Sequence, residues 1–163
     1  MKYSEILTEK LHALQAEHER IVQEIIADKS KRETYKDHIE NYFDLERDLN
    51  REICVERRRE LGVGDGVTYH LWSDSHACTV IKRTPKTITI QRDKAILSPD
   101  FKPEWIPGGF AAHCTNQDEQ SYTYERDPGG ETVTARWSEK RGGFVYLDKI
   151  VSLGRHEFYD YNF

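Results

Sequence analysis

Residues 1–61 contain no glycine and no proline. Such a stretch lacks the residues that most readily turn or break a chain. Filled with Glu, Lys, Arg, Leu and Ile, it is committed to helix. A strict 4-3 spacing runs through Leu7, Leu11, Leu14, His18, Ile21, Ile25, Asp28, Arg32, Tyr35, Ile39, Tyr42, Glu46, Leu49 and Ile53, and ten of these fourteen positions are apolar. A seam of this kind packs against another helix. Ser4 is the expected N-cap and Gly62 the expected stop. The stretch DKSKRE, residues 28–33, interrupts the seam with Asp28 and Arg32, and Ser30 with Glu33 has the pattern of a capping box. Two readings follow: a single helix of about 55 residues, roughly 80 Å long, or a helical hairpin that turns near Ser30. The unbroken register favours the single helix. Either way an apolar stripe needs another helix, so a homo-oligomer, a dimer or higher, is expected.

After Gly62 the period changes to two. Val67, Tyr69 and Leu71 alternate with Thr68, His70 and Trp72; Cys78 and Val80, Ile88 and Ile90, and Val133, Ala135 and Trp137 form further inward rows. Asp127-Pro128-Gly129-Gly130 and Gly142-Gly143 are turn signals between such rows. Short strands at this spacing, rich in Thr, Val, Ile and Tyr, predict a small antiparallel β-barrel. The fold class is therefore α+β, with a helical oligomerisation segment over 1–61 and a barrel over 62–163. Residues 95–120, with three prolines and two adjacent glycines, predict an irregular ordered loop pinned by Phe101, Trp105 and Phe110. The aromatic tail GRHEFYDYNF predicts a chain end docked on the barrel or on a partner.

Charge and composition narrow the function. The formal net charge of -5 supplies no general basic surface for nucleic acid, which remains possible and is not favoured. The three cysteines, Cys54, Cys78 and Cys114, show no Cys-x-x-Cys spacing. His70, His76, His113 and His156 with Cys78 and Cys114 have no diagnostic ligand spacing, so no metal and no cofactor are expected. Cys114 with His76 or His156, or Ser73 with His76, could supply a nucleophile and a base, but no recognised catalytic pattern surrounds them and no enzyme is expected. No run reaches membrane-spanning length and no apolar leader is present, so a reduced, cytoplasmic protein is expected.

What remains is binding. Aromatic planes next to arginines suit a nucleotide, because rings stack on bases and guanidinium groups meet phosphates in bidentate fashion. The candidate ligand-binding residues are Trp72, Asp74 and His76 in and beside the first hairpin turn, Arg92, Trp105 and His113 in and before the long loop, and Arg136 and Arg155 further on.

The opening VGDGVTYHL with ACTVIKRTPKTITIQRD, residues 62–93, resembles the start of an SH3-like barrel. Together GDGVTYHLWSDSHACTVIKRT, DKAILSPDFKPEWIPGGFAAHCTNQ, RWSEKRGGFVYL and GRHEFYDYNF resemble a group of small proteins carried by phages and prophages of Gram-positive bacteria. That resemblance implies a phage-encoded protein working in the host cytoplasm against host defence, by sequestering a nucleotide signal or docking on a host defence protein. The alternatives are an RNA-binding SH3-like module and a virion-assembly protein that works through its coiled coil.

Overall fold

The computed structural model describes residues 2–108 and 112–162. Gly109, Phe110 and Phe163 therefore lie outside the described residues. The chain forms two compact units, Met1–Glu60 and Leu61–Phe163.

In the first unit α1 (Tyr3–Ala27) and α2 (Lys36–Arg59) flank a 3₁₀ turn over Lys29–Arg32. This is the hairpin, and the single long helix favoured by the register is not formed. The reason lies at the interrupted seam. Asp28 leaves helical geometry at φ -143° and ψ 99°. Its carboxylate accepts hydrogen bonds from the Ser30 amide (3.0 Å) and the Ser30 hydroxyl (2.7 Å). Charged seam positions offer no burial to reward continuing straight, while the turn gains local capping. The two halves of the seam then meet each other: Leu7, Leu11 and Ile53 form a buried cluster with Leu49 against it. Gln15 donates to Glu46 across the pair at 2.8 Å. For these positions the partner helix is supplied in the same chain. Ser4 is not the N-cap either; Lys2 occupies that position. Ser4 instead donates its amide and hydroxyl to Glu60 at 3.1 and 2.5 Å, tying the hairpin's open end.

Among the described residues the second unit holds eleven strands. They are β1 (Gly66–His70), β2 (Ser75–Arg83), β3 (Thr87–Arg92), β4 (Lys94–Leu97), β5 (Trp105–Ile106), β6 (His113–Cys114), β7 (Tyr122–Glu125), β8 (Thr132–Ser138), β9 (Gly143–Tyr146), β10 (Lys149–Ile150) and β11 (Ser152–Leu153). Seven of them make one antiparallel sheet in the order β10-β9-β8-β3-β2-β1-β11. Only Val151 separates β10 from β11, yet β10 pairs with β9 and β11 pairs with β1, so the last segment bridges both edges and nearly closes a barrel. Closure of this kind hides the edges of the sheet. The inward rows Val67/Tyr69, Cys78/Val80, Ile88/Ile90 and Val133/Ala135 meet Phe144 and Val151 in a continuous core. Each large apolar side chain sealed there contributes about 1.5–3 kcal/mol relative to exposure. Trp137 packs edge-on against Phe144, with ring centroids 5.1 Å apart.

The segment expected to be an irregular loop over 95–120 is better ordered than that. β4 pairs with β7 and β5 pairs with β6, and a 3₁₀ turn covers Gln117–Glu119. Two-residue strands are too short to show a period in sequence. The tail docks on its own barrel. Ser75 and Phe158 form a β-bridge, Asp160 donates its amide to Asp74 at 3.0 Å, and Asn162 donates to the Cys114 carbonyl at 3.1 Å.

Candidate functional site

The period of two makes β2 an amphipathic strand, but the barrel buries both of its faces from His76 to Val80. Two carboxylates explain this. His76 and Arg92 continue the inward rows of β2 and β3 past Cys78 and Ile90, at one end of the barrel. Glu157 from the tail reaches between them. Its Oε1 accepts from His76 Nδ1 and from Arg92, both at 3.0 Å, and its Oε2 accepts from the Ala77 amide at 2.8 Å. On the opposite face Asp93 accepts from Thr79 (2.7 Å), from Arg155 Nε (2.7 Å) and from Arg126. Arg155 also donates to the Thr79 hydroxyl at 2.6 Å. Its guanidinium lies where a side chain on Gly66 would stand, 2.8 Å from an added Cβ, so a larger residue there would have to displace it.

Asp93 and Glu157 are 3 % and 7 % exposed. Burial works to raise both carboxyls. For Asp93 the hydrogen bonds from Arg155, Thr79 and Arg126 outweigh it, and for Glu157 those from His76 and the Ala77 amide do, so both lie below the ordinary carboxylate range. Both are therefore anions at neutral pH. Burial pushes the Cys78 thiol up to about 12, which leaves it a packed, protonated side chain. His76 turns to Glu157, Ser73 to Asp74 (3.4 Å) and Cys114 to Asn116 (3.6 Å), so the nucleophile-and-base pairs considered from sequence are not assembled.

The eight sequence candidates fall into separate places. His76, Arg92 and Arg155 converge on the two buried carboxylates. There His76 is buried against Glu157, and the two arginines are engaged as counter-ions. Asp74 pins the tail. Trp105 and His113 lie on neighbouring short strands, with Trp105 edge-on to Tyr161 at 6.1 Å between centroids. Arg136 is exposed on β8, paired with Thr87 at the other end of β3 from Arg92. Trp72 is exposed in the β1–β2 turn. The residues missed from sequence are Glu157, Asp93 and Arg126. A lone acid in an aromatic tail and an Arg-Asp pair at a strand end give no signal until the strands are paired.

Two of the concave surfaces among the described residues border these candidates. The first, about 570 Å³ and open, lies between the end of β3, the 127–131 turn and the tail, lined by Arg92, Asp127, Glu131, Tyr122, Tyr159 and Tyr161 among others. Gly130 sets one wall: an added Cβ would meet the Arg92 carbonyl oxygen at 2.1 Å. The second, about 510 Å³, is formed by His70, Leu71 and Trp72 on one side and Leu147, Asp148 and Lys149 on the other. His70 is fixed between Ser75 and Ser152, 2.8 Å from each hydroxyl, and Lys149 donates to the Leu71 carbonyl. The turn opposite is Leu147-Asp148, with φ 47° and 58°. Two consecutive left-handed residues make the two-residue hairpin in which Asn-Gly is the favoured pair.

No family model, no curated protein and no solved structure matches the chain. Among the described residues no group of three or more His, Cys, Asp or Glu side chains is arranged to hold a metal ion, and no helix is long and apolar enough to cross a membrane.

Proposed function

We propose that this chain is a non-enzymatic binding protein that docks on a host protein through the β1–β2 and β9–β10 turns. The carrying observation is Trp72, 98 % exposed at a turn tip. Leaving so large a ring in water forgoes the stabilisation of burying it, about 2–3 kcal/mol. Across the groove Leu147 is 59 % exposed and sits in a conformation that costs a non-glycine residue about 1–2 kcal/mol. Both departures place apolar side chains on the two facing sides of one groove, whose walls include the anchored His70 and Lys149. Large aromatics on rigid supports are the residues that dominate protein interfaces. Strain of this kind concentrates where binding uses it.

The finer reading is an SH3-like barrel. Its support is the meander of β1, β2, β3, β8 and β9 with a closing segment that joins both edges, the β4–β7 region being an insertion. The resemblance to phage-borne proteins supports an anti-defence role in the host cytoplasm. The nucleotide-sequestering version has weaker support, because Arg92 and Arg155 are already engaged with Glu157 and Asp93.

The test is capture of a partner from host lysate on immobilised full-length protein, followed by affinity measurement with the purified partner. Trp72→Ala is expected to lower affinity about thirtyfold, the scale of an interface hot spot. Trp105→Ala is expected to leave it unchanged. A partner held equally well by Trp72→Ala overturns the assignment of this face.

A further inference from the structure

The groove beneath the tail is chemically unlike the Trp72 face. Tyr159 and Tyr161 stand nearly at right angles, with an interplanar angle of 77° and centroids 5.0 Å apart. Tyr161 is braced from behind by Trp105 and by Phe101, at 6.1 and 6.0 Å. Tyr122 is also part of the lining, its hydroxyl donating to Gln120 at 2.6 Å. The tyrosine backbones are fixed too: Tyr159 donates its amide to Gln120 (3.2 Å) and Tyr161 to Gln117 (3.1 Å).

Charge then selects the ligand. The two cations on the lining are both answered within the protein, Arg92 by Glu157 at 3.0 Å and Lys94 by Glu125 at 3.8 Å. Two carboxylates on the lining have no cation opposite them among the described residues. Asp127 takes only the Gly129 amide, at 2.9 Å, and Glu131 is exposed. Asp93, also on the lining, is answered by both Arg126 and Arg155, so with these partners counted one negative charge is left in surplus, which repels a phosphate and attracts a cation. A cation seated in the corner between two rings set edge to face lies within about 6 Å of both centroids, the range of cation–π recognition.

We propose that this groove binds an organic cation, a methylated ammonium or a guanidinium, against Tyr159 and Tyr161, with Asp127 and Glu131 supplying the field. The same chemistry is carried by a modified lysine or an arginine in a peptide and by a free small amine. The site is independent of the Trp72 face.

The experiment is a ¹H–¹⁵N NMR titration of the full chain with tetramethylammonium, with trimethyllysine and arginine presented in short capped peptides, and with ADP as the anionic counter-probe. The expected result is movement of the amides of Gly129, Gly130, Glu131, Tyr159 and Tyr161 with the cations, weakened by salt. Tyr159→Ala is expected to lower affinity about tenfold, the scale of a desolvated cation–π contact. Both Tyr159 and Glu131 are exposed, so Tyr159→Ala and Glu131→Gln are expected to fold, and Glu131→Gln should bind more weakly than wild type. Tighter binding of a peptide than of tetramethylammonium assigns the groove to a side chain, and equal binding assigns it to a free amine. Undisturbed groove amides with every cation, or stronger movement with ADP, overturns the proposal.

Discussion

Replacing Glu157 by Gln tests whether the tail is locked to the barrel by charge. The substitution keeps the size of the side chain and removes the negative charge. Wild-type Glu157 accepts three hydrogen bonds, from His76, Arg92 and the Ala77 amide. A glutamine has one acceptor oxygen and must turn its NH₂ group toward donors on one side or the other. Removing one partner of a fully buried ion pair costs about 3–5 kcal/mol. Here Arg92 keeps 41 % of its side chain in solvent, so it rehydrates rather than being stranded, and the expected loss is about 2–3 kcal/mol. For a barrel unit of roughly 100 residues that corresponds to a fall in Tm of roughly 10–20 °C. All three tryptophans, Trp72, Trp105 and Trp137, belong to this unit, so tryptophan fluorescence follows its melting alone. Because the Glu157 pKa is lowered on folding, its contribution is complete above the ordinary value of 4.5 and disappears as pH falls through the lower folded value. The gap between wild type and Glu157→Gln should therefore be full at neutral pH and shrink in acid, where wild type is itself protonated. A negligible gap at neutral pH, or one that stays constant into acid, refutes the charge-locked tail.

Changing Leu147-Asp148 to Asn-Gly should stabilise the barrel by about 1 kcal/mol by suiting the left-handed turn, read in denaturant melts, while weakening partner binding. Ile90→Ala, at a fully buried position of β3, should cost about 2–5 kcal/mol in the same fluorescence melt. Ile21→Asp, at a buried position of α1, should reduce far-UV helical ellipticity, because an unpaired charge cannot be sealed between the helices. Loss of mass in light scattering with ellipticity retained would instead restore a seam between chains.

Much of the architecture was legible because it depends on near neighbours in the chain. The absence of Gly and Pro over 1–61 and the 4-3 spacing dictated helix there. The alternation at Val67/Tyr69, Ile88/Ile90 and Val133/Ala135 fixed which side chains face the barrel core, since a one-residue slip would expose the whole row. Whether the helical stretch doubles back was decided by tertiary packing. The same seam can satisfy a second copy or itself, and the turn at Asp28–Ser30 brings its own second half within reach. The binding surfaces were less legible still. Trp72 showed its place beside a turn, but its partner across the groove, Leu147, is far along the chain and becomes its neighbour only when β10 and β11 close the barrel. His76 and Arg155 looked like ligand residues until Glu157 and Asp93 were brought against them. A charged side chain's role is set by what neutralises it, and in this barrel those partners come from strands and a tail that sequence spacing does not connect.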